Sequence, residues 1–517
     1  MIKKLICITL SIVLLFSVCS SGVSALSNKT NSYCEEIITS KFNSGNARSL
    51  SYSDEEFALL SGIILSYLSE GVYTVDISTL ELPCNDYSDR LINNCIEFIT
   101  CDFPEFLTFK HFKVYLWHNP ETNTYTDIEF RGDVSAYEKD LAEFQAQVDN
   151  IVRNIPKFKK NTDIEKVLYI YNYLILNFDY DYSYEIRDPL NFINEKKGVC
   201  EAYTLLFTAI MDKLEINCIS AYHDAQSATE AGHMWNMVEI EDEWYHVDAT
   251  WGDTGNLGEV CYDYFLIDDT KLAKADSETQ DHGNYYTFWE KIFSINDEDF
   301  IKGTRPSEHK VWEVSSSPFT YCNGEWYYIM DKDTEGRSGA LMQVYYNQFF
   351  DYTGFGTWIS GIDEIWPYFD ENGYLNSKYY WPDYYGSIFT LGNYVCLSSP
   401  SGIYYYDTTS KQKELKQLEL VDFSNSKIPI YGCTYDGHGN VTVEIKNNPN
   451  TLSCNADIKT YKVKAMENYN AMDLRKLTKY LVTGELSENW GLYDISGDLG
   501  VDIRDLVRMK KISAEIE

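Results

Sequence analysis

The stretch from Gly198 to Asp248 constrains the fold of this chain more than any other, because a helical pattern in it gives way to two alternating strands. Cys200 opens the helical part, and the apolar residues that follow it recur at helix spacing. Two strand-like segments come next, 233–240 and 243–248, and Glu241-Asp242 between them suits a two-residue turn. The stretch therefore predicts a helix that begins at or near Cys200, followed by an antiparallel hairpin.

The register of this hairpin brings an imidazole and a carboxylate to one face of the sheet. If Ile240 pairs with Glu243, then Trp235 lies opposite Asp248. His233 is two residues from Trp235 on the same face, so His233 and Asp248 become diagonal cross-strand neighbours within side-chain reach. A carboxylate in that position fixes the tautomer of the ring and stabilises the imidazolium, so the hairpin predicts an oriented, reactive histidine.

Cys200 is the predicted nucleophile of this site. The N–H groups and the dipole at a helix N-terminus favour a thiolate, which is the reactive form of cysteine. The thiolate also needs a base within reach, and the hairpin offers His233. This combination predicts acyl transfer through a thioester. His223 and His246 lack comparable neighbours in the sequence, so we interpret both as structural.

The residues around this predicted site resemble the transglutaminase-like superfamily. The resemblance rests on G-V-C-E-A-Y at 198–203, H-M-W-N-M-V-E-I at 233–240 and W-Y-H-V-D-A-T-W-G-D at 244–253. It covers roughly residues 100–290. The three motifs come in the family's order, each with matching flanks, which makes the resemblance specific.

The resemblance implies a papain-like Cys–His–Asp arrangement in this chain. Cys200 is then the nucleophile, His233 the general base and Asp248 the residue that orients the base. It implies no cofactor for the chemistry. The aromatic residues expected to shape the site or the substrate path are Tyr203, Trp235 and Trp251.

The acceptor of the acyl group decides what such an enzyme does. Water as acceptor gives a cysteine protease or amidase, whereas a lysine amine gives a protein cross-linking transglutaminase. We favour hydrolysis of a protein or peptide, because water reacts unless the acceptor site excludes it. Two other hypotheses stay open. One is a non-catalytic scaffold or binding component, and the other is glycoside hydrolysis, for which no clear pair of acids is visible.

A chain of 517 residues is too long for one core, since domains usually hold about 100–200 residues. We predict a multidomain α+β protein with a papain/transglutaminase-like core, an all-β aromatic-rich domain and a small helical EF-hand-type C-terminal module. The predicted boundaries are 1–25 for a signal peptide, 26–135 for an N-terminal α/β region, 136–300 for the core, 305–460 for the β-rich domain and 465–517 for the C-terminal module.

Residue periodicity predicts the type of secondary structure on either side of the predicted site. Segments 138–156 and 162–178 have helix spacing, and Asp163 is suited to cap the second. Aromatic, alternating segments such as 326–329 and 403–407 predict short strands. Their rings can stack on sugars, but packing within a sheet is the favoured interpretation.

The N-terminus and the overall charge predict where the protein works. Lys3 and Lys4 precede an apolar run, 5–18, that is too short to span a bilayer, and Val23-Ser24-Ala25 is a small-residue cleavage site. We therefore expect a secreted protein. Its net charge of −36 argues against nucleic acid and anionic membranes as partners.

Cysteine usage fits an extracellular protein but leaves the pairing open. The chain has 13 cysteines, and those outside the signal segment and Cys200 are even in number. Cys84, Cys95 and Cys101 are close enough in sequence to pair, or they are buried free thiols. There is no pair of CxxC motifs, which argues against a structural zinc site.

Near the C-terminus the chain has the spacing of a calcium-binding loop. Oxygen-bearing side chains fall at positions 1, 3, 5, 9 and 12 of a twelve-residue stretch, as in an EF-hand-type loop. Leu499 occupies the position that is usually glycine. The predicted calcium ligands are Asp494, Ser496, Asp498, Asp502 and Asp505.

A second segment upstream, 469–474, is similar to the end of such a loop and its helix, and the duplication resembles a type I dockerin. The resemblance implies attachment to a cohesin module of a cellulosome scaffold, and so an extracellular, cell-surface location. It also implies that Ile503 and Arg504 help to select the cohesin. We expect one calcium ion, because three ligand positions of the first repeat hold residues that cannot bind it. Those residues are Lys462, Lys464 and Met466.

Overall fold

The computed structural model describes the chain in segments. Strands 33–37, 368–369 and 375–376 are described as backbone only. The predicted signal peptide and the predicted calcium loop with Ile503 and Arg504 lie outside the described residues. The described residues are 53–109, 111–223, 232–275, 282, 285–289, 311–315, 317–330, 340–344, 357–361, 386–399, 402–423, 430–437, 440–446, 456–463, 477–482, 506–507 and 509–510.

The helices lie mainly in the first half of the described chain. In chain order, α1 to α8 are Asp54–Ser69, Asp86–Asp102, Val134–Arg153, Asp163–Asn177, Pro189–Glu195, Cys200–Lys213, Ala249–Gly252 and Asp269–Ala275. Three 3₁₀ segments are Ser78–Leu80, Pro104–Phe109 and Val311–Val314. Further helical residues are 477–482, 506–507 and 509–510.

The strands fall into two groups along the chain. The first group, β1 to β10, is Tyr33–Ile37, Thr74–Asp76, Phe112–Asn119, Thr124–Gly132, Asp179–Tyr180, Lys197–Gly198, Cys218–His223, His233–Ile240, Glu243–Val247 and Phe265–Ile267. The second group, β11 to β23, is Thr320–Cys322, Glu325–Met330, Ala340–Val344, Thr357–Gly361, Tyr368–Phe369, Leu375–Asn376, Ile388–Leu391, Tyr394–Ser399, Gly402–Asp407, Leu415–Gln417, Ile430–Tyr435, Asn440–Lys446 and Ala456–Lys462.

The chain forms two compact units, and each draws on separate parts of the sequence. Cys200, His233 and Asp248 all belong to the first unit. The first unit comprises 1–152, 178–250 and 264–306, and the second comprises 153–177, 251–263 and 307–517.

The first unit contains two four-stranded antiparallel sheets, ordered β1-β3-β4-β2 and β10-β9-β8-β7. Helix α6 begins at Cys200, as predicted, and packs on β7 and β8. The predicted hairpin register is also confirmed, because β8 and β9 pair from Ile240↔Glu243 to Asn236↔Val247. Glu241 and Asp242 both have positive φ, 53° and 64°, as a type I′ turn requires.

The second unit is dominated by antiparallel sheets, ordered β11-β12-β13-β14, β17-β18-β19-β20 and β21-β22-β23. This confirms the strand prediction for the aromatic segments. Trp326, Tyr327 and Tyr328 are at most 4% exposed, so their rings pack the interior and are closed to a sugar. Helix α4 is part of this unit, where its Glu165 accepts a hydrogen bond from Trp326 Nε1 at 3.1 Å.

Both helices predicted before the nucleophile are observed, as α3 and α4. The predicted cap of α4 is wrong by one residue. Asp163 is the first helical residue, and Thr162 precedes the helix. The backbone N–H and the hydroxyl of Thr162 donate to the Glu165 carboxylate at 2.9 and 3.0 Å, which ties the start of the helix together.

The cysteines of the described residues whose side chains are placed are free thiols, including Cys84, Cys95 and Cys101. The alternative of pairing among these three is therefore not observed. Among the described helices, none is long and apolar enough to cross a membrane.

Candidate active site

Cys200 stands at the start of α6 because the chain before it is held extended. Val199, the residue that precedes the helix, has φ −89° and ψ 178° and offers no side-chain cap. Gly198 must be glycine here, since a Cβ would lie 2.6 Å from the Phe192 ring and 2.8 Å from Ala202. The first turn of α6 is thus presented with its N–H groups uncapped by a side chain.

Hydrogen bonds between α6 and β8 fix the nucleophile relative to the histidine. The Thr204 hydroxyl lies 2.8 Å from the Cys200 carbonyl and 3.0 Å from the Met234 carbonyl. The Asn236 side chain donates to the Thr204 carbonyl at 3.2 Å and to the Thr208 hydroxyl at 2.9 Å. Both side chains are buried, so water does not compete for these hydrogen bonds.

The structure brings His233 and Asp248 together as the register predicts. His233 is the first residue of β8 and Asp248 follows the last residue of β9. The two side chains, only 9% and 2% exposed, meet with His233 Nε2 2.6 Å from Asp248 Oδ2. Asp248 Oδ1 accepts a further bond from the backbone N–H of Thr250 at 2.9 Å.

The neighbours of His233 keep its ring charged. Burial by itself lowers the pKa of His233, but the Asp248 carboxylate and a hydrogen bond with the Cys200 thiol outweigh it and raise the pKa to about 10. Because Nε2 of His233 contacts Asp248, Nδ1 is the ring nitrogen that remains for the Cys200 thiol. Burial works against the charge of Asp248 too, yet His233 and then His282 hold the pKa of this carboxyl well below its usual range. An imidazolium beside a thiol favours the thiolate.

A second imidazole, which the sequence did not single out, binds the same carboxylate. His282 Nε2 lies 2.8 Å from Asp248 Oδ2, and its side chain is fully buried. The ring stacks on Tyr264 at 4.9 Å and meets the edge of Trp235 at 4.8 Å. The donors to Asp248 therefore include two imidazoles and a backbone N–H.

The two imidazoles and the carboxylate are also a grouping that can bind a metal ion. Their ligand atoms, from His233, Asp248 and His282, all lie within 4.8 Å of one another. The N···O distances are 2.6 and 2.8 Å. Ligand atoms around a tetrahedral zinc at about 2.0 Å stand about 3.3 Å apart, so the observed spacing is that of hydrogen bonds.

Trp235 packs against His233 and is itself held in place by a hydrogen bond. Its ring stacks on His233 with centroids 5.6 Å apart, and its Nε1 donates to His246 Nδ1 at 3.0 Å. His246 Nε2 then lies 2.9 Å from Asp269, which also accepts from the Tyr285 hydroxyl at 2.9 Å. Burial lowers the pKa of His246, although Asp269 opposes the shift. These contacts agree with the structural role expected of His246.

Tyr203, Trp251 and His223, which the sequence also singled out, lie in different surroundings. Tyr203 is 1% exposed and packs its ring 4.5 Å from that of Phe192, inside the first unit. Trp251 is a half-buried residue of α7 and belongs to the second unit. His223, interpreted as structural, is buried and stands opposite His233 in the β7–β8 ladder.

Residues 150–249 match the family model of the transglutaminase-like superfamily. The matched segment contains Cys200, His233 and Asp248. This part of the chain is therefore a transglutaminase-like domain, in agreement with the resemblance that the motifs at 198–203, 233–240 and 244–253 carry.

Comparison with known proteins finds one curated relative and a structural neighbour. Kyphoscoliosis peptidase from Homo sapiens is 26% identical over 121 residues, which are 20% of this chain and 18% of that protein. This chain thus spans less than a fifth of the length of that relative. A solved structure described as a crystal structure of a TGase aligns with 29% of this chain and 47% of its own, at 15% identity and a TM-score of 0.19.

Proposed function

We propose that this protein is a thiol-dependent acyl-transfer enzyme that acts on protein or peptide amides, with Cys200 as nucleophile. The observation that carries the proposal is the continuous set of contacts from the Cys200 thiol through His233 to Asp248. A hydrogen-bonded thiol, imidazole and carboxylate in that order are the parts that covalent catalysis by cysteine needs.

In the first step Sγ of Cys200 attacks the carbonyl carbon of the substrate amide. The proton that the thiol gave up resides on His233, and the ring passes it to the nitrogen of the leaving amine as the C–N bond breaks. The product of this step is a thioester on Cys200. Asp248 holds the ring in position and stabilises its charge throughout.

The oxyanion that forms during the attack lies at the start of α6. The N–H groups in the first turn of a helix have no partner within the helix, and Val199 supplies no capping side chain. The Ala202 N–H already donates to the Val199 carbonyl at 2.9 Å, so we assign the oxyanion to the N–H groups of Cys200 and Glu201, which would stabilise the tetrahedral intermediate.

In the second step an acceptor attacks the thioester carbonyl and the C–S bond breaks. His233 takes a proton from the acceptor, and Cys200 leaves as thiolate. Water as acceptor gives a carboxylate and a peptidase or amidase. A lysine amine gives an isopeptide and a cross-linking enzyme. We favour hydrolysis, because water reacts with a thioester unless the site excludes it, and no feature of the described residues indicates such exclusion.

The test of the proposal is the turnover of a denatured protein substrate such as casein by the wild type and by Cys200→Ala, with the products identified by mass spectrometry. We expect Cys200→Ala to lose at least about 10³-fold in kcat/KM. New carboxylates identify a hydrolase, and isopeptides identify a cross-linker. Unchanged turnover in Cys200→Ala contradicts the proposal. No turnover by the wild type favours a non-catalytic scaffold or binding component instead.

We also propose that the protein is secreted and is attached through a C-terminal dockerin-like module to a cohesin of a cellulosome-like scaffold. The support is the sequence pattern of the signal segment and of the loop that starts at Asp494. Calorimetry should detect one calcium ion bound by the wild type and none by Asp494→Ala. Identical traces remove the calcium site from the proposal.

A further inference from the structure

The chain has 43 tyrosines, but among the described residues large aromatic side chains are rarely exposed. Within the described residues, the exposed large apolar side chains include two aromatic ones, Tyr182 and Tyr184, which are 77% and 56% exposed. Both stand on one turn between β5 and α5. The aliphatic residues of this exposed set lie elsewhere in the chain and are Leu59, Val72, Val421, Ile458, Val482 and Val507.

The turn that carries these tyrosines is bonded at both ends to the residues just before Cys200. At one end β5 pairs in parallel with β6, so that Tyr180 lies beside Gly198. At the other end Ile186 accepts a bond from the Val199 N–H at 2.9 Å. Strand spacing and chain length together place the backbone of Tyr180 within about 10 Å of the nucleophile. Burial and, after it, the Cys200 thiol raise the pKa of the Tyr180 hydroxyl, in keeping with this closeness.

Four hydrogen bonds to the Asp181 carboxylate hold the turn in the conformation that exposes its rings. Asp181 accepts from the N–H and hydroxyl of Ser183 at 3.1 and 2.7 Å, and from the N–H groups of Glu185 and Ile186, both at 3.0 Å. Tyr184 has a left-handed backbone with φ 59°, which costs a residue with a Cβ about 1 kcal/mol or more. Such strain persists where the surroundings determine the conformation.

Charged side chains lie beside the rings, and two of the cations among them are paired with carboxylates. Arg187 lies 3.3 Å from Glu201, and Lys197 lies 3.8 Å from Asp181. The ring of Tyr180 supports the exposed pair from within, with centroids 5.2 Å from Tyr182 and 6.2 Å from Tyr184. The exposed rings are the apolar part of this surface, so an aromatic or apolar group seated on them gains ring contacts. The three rings are hereafter called the tyrosine ridge.

We propose that the tyrosine ridge, Tyr180, Tyr182 and Tyr184, is a subsite that binds an aromatic or large apolar side chain of the acyl donor, next to the reacting amide. A polypeptide whose carbonyl reaches Sγ of Cys200 comes within reach of the ridge, because the ridge is bonded to the residues that enter α6. The inference rests on the proposed function and adds the substrate class, a polypeptide with an aromatic or large apolar residue near the bond attacked.

The experiment uses the full chain and peptides that carry either Phe or Ala at each of three positions on either side of the reacting amide. We expect the wild type to prefer Phe about tenfold in kcat/KM at one position on the acyl side, which is about 1.4 kcal/mol. The double variant Tyr182→Ala/Tyr184→Ala should lower this ratio to near one. Tyr182→Phe/Tyr184→Phe, which keeps the rings, should retain it. Ile458→Ala, an exposed apolar truncation in the second unit, should retain it as well.

A binding measurement keeps this inference distinct from the proposed function. Peptide affinity is measured on Cys200→Ala protein with and without the two alanine substitutions in the ridge. Tighter binding of the Phe peptide that depends on the ridge supports the subsite even if the wild type turns nothing over. The inference is wrong if the alanine double variant keeps the Phe preference, if Phe and Ala peptides behave alike, or if the preference falls only on the leaving side.

Discussion

Two histidines of the same hairpin, His233 and His246, each pair with a carboxylate, yet only one is arranged for chemistry. His233 Nε2 is 2.6 Å from Asp248, and His246 Nε2 is 2.9 Å from Asp269. The pKa of His233 is raised to about 10, whereas burial lowers the pKa of His246. Pairs with similar N···O geometry thus hold their rings in opposite charge states.

The difference lies in what the second ring nitrogen contacts. In His246 that nitrogen accepts a hydrogen bond from Trp235 Nε1, which requires Nδ1 to be unprotonated and so keeps the ring neutral. In His233 it faces the thiol of Cys200. A histidine paired with a carboxylate therefore becomes a proton carrier only where its other nitrogen is left for a reacting group.

The largest expected effect comes from changing each carboxylate to its amide. Asp248→Asn removes the charge that keeps His233 protonated and oriented, and we expect kcat to fall by about 10²–10⁴-fold. Asp269→Asn keeps an oxygen that can accept from His246 and Tyr285, so kcat should stay within about twofold. Steady-state kinetics on one substrate compares the two. Equal losses in both variants contradict the division of roles.

A smaller effect is expected at His282, which contacts the same oxygen of Asp248 as His233 does. His282→Ala should lower kcat about tenfold with little change in KM, because the carboxylate loses one of its donors but substrate contacts remain. His282→Gln, whose amide nitrogen can take the place of Nε2, should restore most of the rate. A structural role alone predicts no rescue by Gln, and wild-type kinetics in both variants removes His282 from the site.

The smallest effect is on stability, and it has opposite signs for the two histidines. The pKa of His246 is lowered from its ordinary 6.5, so its contribution is full above pH 6.5 and is lost as the pH falls below it. The pKa of His233 is raised, so its contribution is full below 6.5 and is lost as the pH rises through about 10. Each slope is at most about 1.4 kcal/mol per pH unit.

Urea unfolding between pH 5 and pH 10 checks these slopes on the wild type, His246→Gln and His233→Gln. His246→Gln should flatten the acid side alone, and His233→Gln the alkaline side alone. If both variants change the same side, the assignment of charge states to the two rings is wrong.

Much of this site was predictable because it depends on local patterns. The apolar spacing after Cys200 predicted where α6 begins, and alternation with a two-residue turn predicted the pairing of Ile240 with Glu243. Given that register, the meeting of His233 with Asp248 follows from strand geometry. The family match over 150–249 then agrees with the motifs.

What the sequence did not reveal depends on contacts between distant segments. His282 is 34 residues beyond Asp248, and no periodicity connects the two. Nothing in the sequence indicates that His246 bonds with Trp235 and Asp269, since burial decides which polar atoms must find partners. The exposure of Tyr182 and Tyr184 likewise follows from how Asp181 closes its turn. The only signal for these residues is their polar or aromatic type.

The most direct test of the central claim is the rate at which iodoacetamide labels Cys200 at pH 6, followed by peptide mapping. An imidazolium that stabilises the thiolate predicts labelling at least about tenfold faster than that of a free cysteine derivative under the same conditions. His233→Ala should slow it to the free-thiol rate, and His246→Gln should leave it fast. Labelling of the wild type no faster than the free thiol, or equally fast in His233→Ala, contradicts the account.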